Sequence, residues 1–117
     1  MKEYNEYYQR NKQLDKMYDE RYGEDVLKMY EKNCLELIVE ICEFANESKC
    51  FKYWTIKEPN RELLLEEYAD CLSMLFCIFN AHNIDNIDVL DIELSDDVII
   101  LFNEMIRMCT ILMDKGN

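Results

Sequence analysis

Carboxylates at regular spacing mark two stretches of this sequence as candidates for chemistry. In "LELIVEICEFANESKCFKYW", residues 35–54, the acids Glu36, Glu40, Glu43 and Glu47 are spaced at i, i+4, i+7 and i+11. This spacing places all of them on one face of an α-helix. A second pair, Glu67 and Asp70, is spaced at i, i+3 in the next apolar stretch. The sequence therefore carries an ExxE motif followed by an ExxD motif.

Two interpretations of these acids compete. An isolated ExxE motif is most often the solvated face of a helix, but here the other faces of both helices are apolar. If the helices pack side by side, the two acidic pairs face each other. Two carboxylates about 4 Å apart repel by about 4 kcal/mol at an effective dielectric constant near 20, against a total domain stability of about 5–15 kcal/mol. A facing cluster therefore needs a cation, and clustered hard oxygen ligands suit Mg²⁺ or Mn²⁺.

The elements that must position these acids are helices. With two glycines and one proline in 117 residues, long helices are favoured and hairpins are not. We expect an all-α fold in one domain, residues 1–117, built as an antiparallel bundle of about four helices. The expected helices cover about residues 3–21, 24–48, 60–82 and a last segment that follows an N-cap at Ser95 and ends near Asp114. A short extended piece within residues 85–94 remains an alternative there.

Two features of the helices carry further expectations. The first helix is amphipathic, with an aromatic and aliphatic stripe formed by Tyr7, Leu14, Tyr18 and Tyr22. The second and third helices are apolar on most faces, which implies more burial than a four-helix monomer provides. A homodimer would supply that burial.

Composition excludes several functions. The net charge of −12 argues against nucleic-acid polymers, whose binding depends on Lys and Arg. No segment is long enough to span a membrane, and the polar start "MKEYNEYYQRNK" is not a signal peptide, so we expect a cytoplasmic protein. The six cysteines form no CxxC pair and there is a single histidine, which favours reduced core thiols over zinc or disulfides.

With these motifs in place, the sequence resembles the all-α nucleoside triphosphate pyrophosphohydrolase superfamily, which includes MazG-like proteins, and is most similar to its dimeric all-α dUTPases. The resemblance rests on "VEICEFANESKCFKYW" and "LLEEYADCLSMLF", which match a family pattern of ELxELANE, FKxW and EExxD. A weaker match is "NKQLD", residues 11–15, to a segment of the form QxxLN/D.

The resemblance implies hydrolysis of dUTP to dUMP and pyrophosphate. It implies that Glu40, Glu43, Glu67 and Asp70 bind Mg²⁺ or Mn²⁺, with Glu43, beside Glu40, orienting or deprotonating the attacking water. The residues that the resemblance implies for nucleotide binding are Asn11, Gln13, Asn46, Lys52 and Trp54.

The sequence also departs from the family pattern. Cys71 and Ser73 stand where the family typically has Gly and His, and the given sequence ends at "MDKGN" before a further helix that typically carries Lys, Asn and Arg. Uracil specificity therefore stays open. The alternatives are a MazG-like pyrophosphohydrolase of another, non-canonical nucleoside triphosphate, and a catalytically weak acidic protein that binds a basic partner.

Overall fold

The computed structural model describes residues 2–22, 30–85 and 95–115, and they form a helix bundle. The four helices are α1 (Lys2–Tyr22), α2 (Tyr30–Ser48), α3 (Arg61–Ala81) and α4 (Val98–Lys115). The expected all-α bundle is confirmed, and the described ranges contain no strand. The predicted start of the second helix at residue 24 and most of the alternative extended piece, residues 86–94, lie outside the described residues. None of the described helices combines the length and the apolar character that crossing a bilayer requires.

The starts of α3 and α4 are fixed by side chains that accept backbone hydrogen bonds. Asn60 Oδ1 accepts from the backbone N–H groups of Glu62 and Leu63, at 3.0 and 3.2 Å. The expected cap of α4 at Ser95 is wrong: the helix begins at Val98, and Asp97 Oδ1 accepts from the N–H of Ile99 at 3.0 Å. Both Ser and Asp are good caps, so the sequence leaves the choice between neighbouring positions undecided.

The central helix of the bundle is α2, which packs against both α3 and α4. Its C-terminal half meets the N-terminal halves of the other two. The ring of Phe44 lies 5.8 Å from that of Tyr68 on α3 and 5.3 Å from that of Phe102 on α4. Near the start of α2, Cys34 lies in electrostatic range of Cys109, towards the end of α4, so these two helices are antiparallel.

The buried face of α1 is not the apolar stripe that its sequence suggests. Tyr7, Leu14 and Tyr18 are 55%, 49% and 52% exposed. The buried residues of α1 are Tyr8, Asn11 and Asp15. The reason is that α1 packs against α3 through hydrogen-bonded polar groups together with the ring of Tyr8, and hydrophobic periodicity does not detect the polar groups.

Hydrogen bonds hold α1 parallel to α3. The hydroxyl groups of Tyr4 and Tyr68 lie 2.8 Å apart near the starts of the two helices, and Asn80 Nδ2 donates to Asp15 Oδ2 at 3.0 Å near their ends. Tyr8, which is fully buried, donates its hydroxyl hydrogen to the carbonyl oxygen of Ile84. These contacts place α1 beside the acidic side of the α2–α3 pair.

The burial of the core predicts that two isoleucine side chains contribute very differently to the free energy of unfolding. Ile78 is 2% exposed and Ile56 is 99% exposed. We expect Ile78→Ala to lower the free energy of unfolding by about 2–5 kcal/mol, because it removes buried contacts and leaves a cavity. Ile56→Ala is the matched control and should change it by no more than about 0.5 kcal/mol. Urea denaturation followed by circular dichroism measures both, and equal losses would contradict this packing.

Candidate functional site

The acids of α2 and α3 converge. One carboxylate oxygen from each of Glu40, Glu67 and Asp70 lies within 4.8 Å of the other two. Opposite ligands of an octahedral Mg²⁺ ion are about 4 Å apart, given metal–oxygen distances of about 2.0–2.1 Å. The three oxygens therefore already lie near the spacing that a single small cation imposes.

Glu43 completes the group on its solvent side. It is exposed, and its carboxylate lies close to those of both Glu40 and Glu67. One turn of α2 separates Glu40 from Glu43, and one turn of α3 separates Glu67 from Asp70, so the contact between the two helices brings all four together. The structure thus places the ExxE and ExxD motifs opposite each other, as the spacing predicts.

The environment of these acids is unfavourable without a cation. Glu40 Oε2 and Glu67 Oε2 are buried and have no hydrogen-bond partner among the described residues. Burial, followed by the nearby charges of Glu43 and Asp70, raises the pKa of Glu40 to about 7 and raises the pKa of Glu67. Buried carboxylate oxygens that lack donors are the ligands a hard divalent cation prefers, so the residues present fit Mg²⁺ or Mn²⁺.

A cavity of about 410 Å³ opens beside the acids, between α1, α2 and α3. Four of its lining residues are carboxylates: Asp15 on α1, Glu36 and Glu40 on α2, and Asp70 on α3. None of the described residues that line it is Lys, Arg or His. Its volume lies within the range of about 300–1,000 Å³ typical of small-ligand sites.

Comparison with known proteins identifies the family of the chain. A family model described as dUTPase matches residues 3–117, nearly the whole chain. The chain belongs to the dUTPase family. It is therefore a dUTP diphosphatase-like hydrolase, and the resemblance that the motifs suggest is confirmed. Among curated proteins and among solved structures, the comparison found no match.

In this dUTPase family member, the two predicted nucleotide-binding residues of α1 lie on different faces. Asn11 is buried, its Nδ2 donates to the carbonyl oxygen of Ser73 at 3.2 Å, and its Oδ1 accepts from Ser73 Oγ at 2.7 Å. Gln13 is exposed. Neither residue lines the cavity, but Ser73 does, so Asn11 supports the cavity wall from behind.

The other predicted nucleotide-binding residues lie at the end of α2 and in the loop that follows it. Asn46 is exposed and Lys52 is half-buried. Trp54 is 65% exposed, and its ring packs edge-on against Phe51 and Tyr53, with centroids 6.2 and 5.1 Å away. None of the three predicted residues lines the cavity, and their role in this dUTPase-like chain stays a prediction.

Sequence reasoning missed Asp15. It is 7% exposed, accepts hydrogen bonds from Asn80 and from the thiol of Cys77, and lines the cavity. Burial raises the pKa of its carboxyl group, and the two hydrogen bonds act in the opposite direction. The signal available in the sequence was its spacing from Tyr8 and Asn11, at i+7 and i+4, which puts the three on one face of α1.

The raised pKa of Glu40 predicts how the metal-free protein responds to pH. An unfolded glutamate has a pKa near 4.5, whereas folding raises that of Glu40 to about 7. Between these values the folded state binds more protons, so this contribution to stability is complete below pH 4.5 and is lost as pH rises through 7. In EDTA, the melting temperature should fall between pH 5 and pH 8.

Two comparisons isolate the acids as the cause of that fall. Glu40→Gln keeps the shape of the side chain without its charge, so the melting temperature of this variant in EDTA should depend less on pH. Saturating Mg²⁺ should raise the melting temperature of the unmodified chain, and most strongly at pH 8. Differential scanning fluorimetry across this range provides the measurement. The same slope in both proteins without metal would show that Glu40 does not carry the effect.

Proposed function

We propose that this chain hydrolyses dUTP to dUMP and pyrophosphate, with Mg²⁺ or Mn²⁺ held by Glu40, Glu43, Glu67 and Asp70. The observation that supports the proposal best is the convergence of three carboxylate oxygens within 4.8 Å, two of whose residues keep a buried oxygen without a partner. An acidic protein that only attracts a basic partner has no need to bury these oxygens. The geometry therefore favours an enzyme over an acidic binding protein.

The cation and the acids of α2 have separate tasks in the proposed reaction. When bound, a divalent cation neutralises the triphosphate and stabilises the charge that develops as the phosphoanhydride bond breaks. Glu43, which is exposed on α2, orients the attacking water and accepts its proton. Glu40, beside Glu43 on the same face of α2, is a ligand of the proposed cation.

The nucleotide extends from the acids into the cavity. Because none of the described residues lining the cavity is cationic, a cation from elsewhere is needed for the phosphates, and Lys52 in the loop after α2 is the predicted one. The ring of Trp54 is predicted to pack against the nucleobase. The remaining predicted polar contacts to the nucleotide are Asn46, Asn11 and Gln13. A nucleotide is the proposed partner; at a net charge of −12, a nucleic-acid polymer is not.

The proposed setting is the cytoplasm. All six cysteines are free thiols, four of them buried, and burial raises the pKa of Cys71 and Cys77 to about 12. Thiols held in this protonated, buried form suit a reducing compartment.

A substrate screen tests the proposed function. With Mg²⁺ present, we expect monophosphate and pyrophosphate from dUTP at a rate far above those from dTTP, dATP and dGTP, and no reaction in EDTA. Ion-exchange chromatography of the products gives the measurement. A correctly folded chain that cleaves none of the nucleotides would refute the enzymatic assignment, whereas equal cleavage of all would favour the MazG-like alternative.

Glu43→Gln tests the role of the proposed base in the same assay. The variant keeps the volume of the side chain but cannot accept a proton, so kcat should fall by about 100-fold or more. Glu66→Gln is the matched control, because Glu66 is exposed on α3 next to Glu67 and is not one of the converging acids. Full activity in Glu43→Gln would show that another group activates the water.

We also propose a homodimer formed through the groove between α3 and α4. This groove, of about 370 Å³, is lined almost entirely by apolar side chains, and α2 forms its floor. Its walls include Leu72 and Leu75 from α3 and Met108 and Leu112 from α4. Met108 is 60% exposed, and a second copy of the chain packed on the groove would bury it.

Two methionines of nearly equal exposure test the proposed dimer. Met108 lies in the groove, whereas Met17, 62% exposed, lies on α1 outside it. At micromolar concentration, light scattering should give twice the chain mass of 14.2 kDa for the unmodified protein and for Met17→Glu. Met108→Glu should give one chain mass, because it would bury a charge in an apolar interface. A monomeric unmodified protein, or dissociation by both variants alike, would contradict the proposal.

A further inference from the structure

The loop between α2 and α3 carries a patch of exposed apolar side chains. Phe51, Tyr53, Trp54 and Ile56 are 43%, 94%, 65% and 99% exposed. Single exposed apolar residues are common on protein surfaces, but these four lie close together in the sequence, and the ring of Trp54 contacts those of Phe51 and Tyr53. Neither Tyr53 nor Ile56 is a predicted nucleotide contact. The proposed reaction therefore leaves their exposure unexplained.

The same loop is a basic segment of an acidic chain. Residues 49–57, "KCFKYWTIK", hold three lysines and no acid, whereas the whole chain has a net charge of −12. Lys57 is exposed, and Lys49 and Lys52 are half-buried. Among the described residues, no ion pair joins any of these lysines to a carboxylate. The apolar patch is thus accompanied by positive charge that the fold does not neutralise.

Hydrogen bonds hold the loop in one shape. The N–H groups of Lys52 and Thr55 donate to the carbonyl oxygens of Lys49 and Lys52, at 3.0 and 3.2 Å. Farther along, the N–H of Lys57 donates to Thr55 Oγ1 at 3.2 Å. Because these turns fix the backbone, little further conformational entropy is lost when a partner covers the apolar side chains. The loop therefore presents its aromatic, aliphatic and cationic groups in a fixed arrangement.

We propose that residues 49–57 dock on the surface of an anionic lipid bilayer, with Tyr53 and Ile56 in the interface and the lysines beside the headgroups. Tyr and Trp prefer this interface because each has an apolar ring and a polar group. Lysines are attracted to the negative surface potential of anionic lipids. At physiological ionic strength the Debye length is about 8 Å, so the bilayer attracts the docked loop more strongly than it repels carboxylates that lie farther away.

A single-stranded nucleic acid fits these residues less well than a bilayer does. Such strands stack their bases on the free faces of aromatic rings. Here the rings of Phe51 and Tyr53 pack edge-to-face with that of Trp54, with centroids 6.2 and 5.1 Å away. The most exposed side chain of the patch, Ile56, has no ring. An aliphatic group beside clustered aromatic rings suits hydrocarbon better than bases.

Binding to vesicles tests the proposal without nucleotide or Mg²⁺, so its outcome does not depend on the proposed hydrolysis. Sedimentation compares vesicles of equal parts phosphatidylcholine and phosphatidylglycerol with vesicles of phosphatidylcholine alone. We expect the partition coefficient to be about 100-fold higher for the anionic vesicles, because each of three lysines contributes about fivefold. Trp54 is the single tryptophan of the chain, and its fluorescence emission should shift to shorter wavelength on binding.

Two variants and their matched controls locate the contact. Ile56→Ser should lower the partition coefficient for anionic vesicles by about tenfold or more, because it removes an apolar side chain that the bilayer would bury. Leu35→Ser is the control: Leu35 is 57% exposed near the start of α2, about 20 Å along the helix from the loop. Lys57→Gln should lower the coefficient by about fivefold. Its control is Lys32→Gln, since Lys32 is also exposed but lies on α2 near Leu35.

Three results would overturn the proposal. The first is failure of the unmodified chain to sediment with anionic vesicles, or sedimentation without a shift in the emission of Trp54. The second is an equal loss of binding in Ile56→Ser and Leu35→Ser, or in Lys57→Gln and Lys32→Gln. The third is binding to oligothymidylate but not to vesicles, which would assign the loop to a nucleic acid.

Discussion

Electrostatic repulsion between α2 and α3 is the constraint on which the rest of this structure depends. The two helices form the largest contact in the bundle, and the same contact forces Glu40, Glu67 and Asp70 together. Apolar packing on the other sides of α2, around Leu37 and Ile41, holds them there. A fold that stores like charges in this way gains stability from any cation that enters, so binding and folding are coupled at this site.

Polar contacts, together with the buried ring of Tyr8 against Phe76 and Phe79, decide where α1 lies. The pairs Asn11–Ser73 and Asp15–Asn80 fix it against α3 in one register, since a shift of one residue would rotate both side chains away from their partners. Burying polar groups costs free energy unless each is paired, which makes such a register specific. These two contacts place α1 as the third wall of the cavity beside the acids. The apolar stripe of α1 consequently remains about half exposed to solvent.

The parts of this structure that the sequence predicts are those set by local periodicity. The helical repeat alone places Glu40 and Glu43 on one face and Glu67 and Asp70 on another, and their convergence needs only that α2 packs on α3. Asp15 was missed because its partners, Asn80 and Cys77, are distant in the sequence, and its helical spacing from Tyr8 and Asn11 does not by itself show that this polar face is buried. The cap of α4 was misplaced because Ser95 and Asp97 differ little in capping preference, so tertiary packing decides between them.

The apolar character of α3 on most of its sides follows from three different neighbours. One face packs on α2, a second accepts α1 through Ser73 and Phe76, and a third, with Leu72 and Leu75, walls the groove shared with α4. Consecutive residues Leu72 and Ser73 therefore belong to the groove and to the cavity respectively. Any occupant of the groove would therefore contact the same helix that carries Asp70. The proposed dimer face and the proposed metal ligands Glu67 and Asp70 thus share one helix.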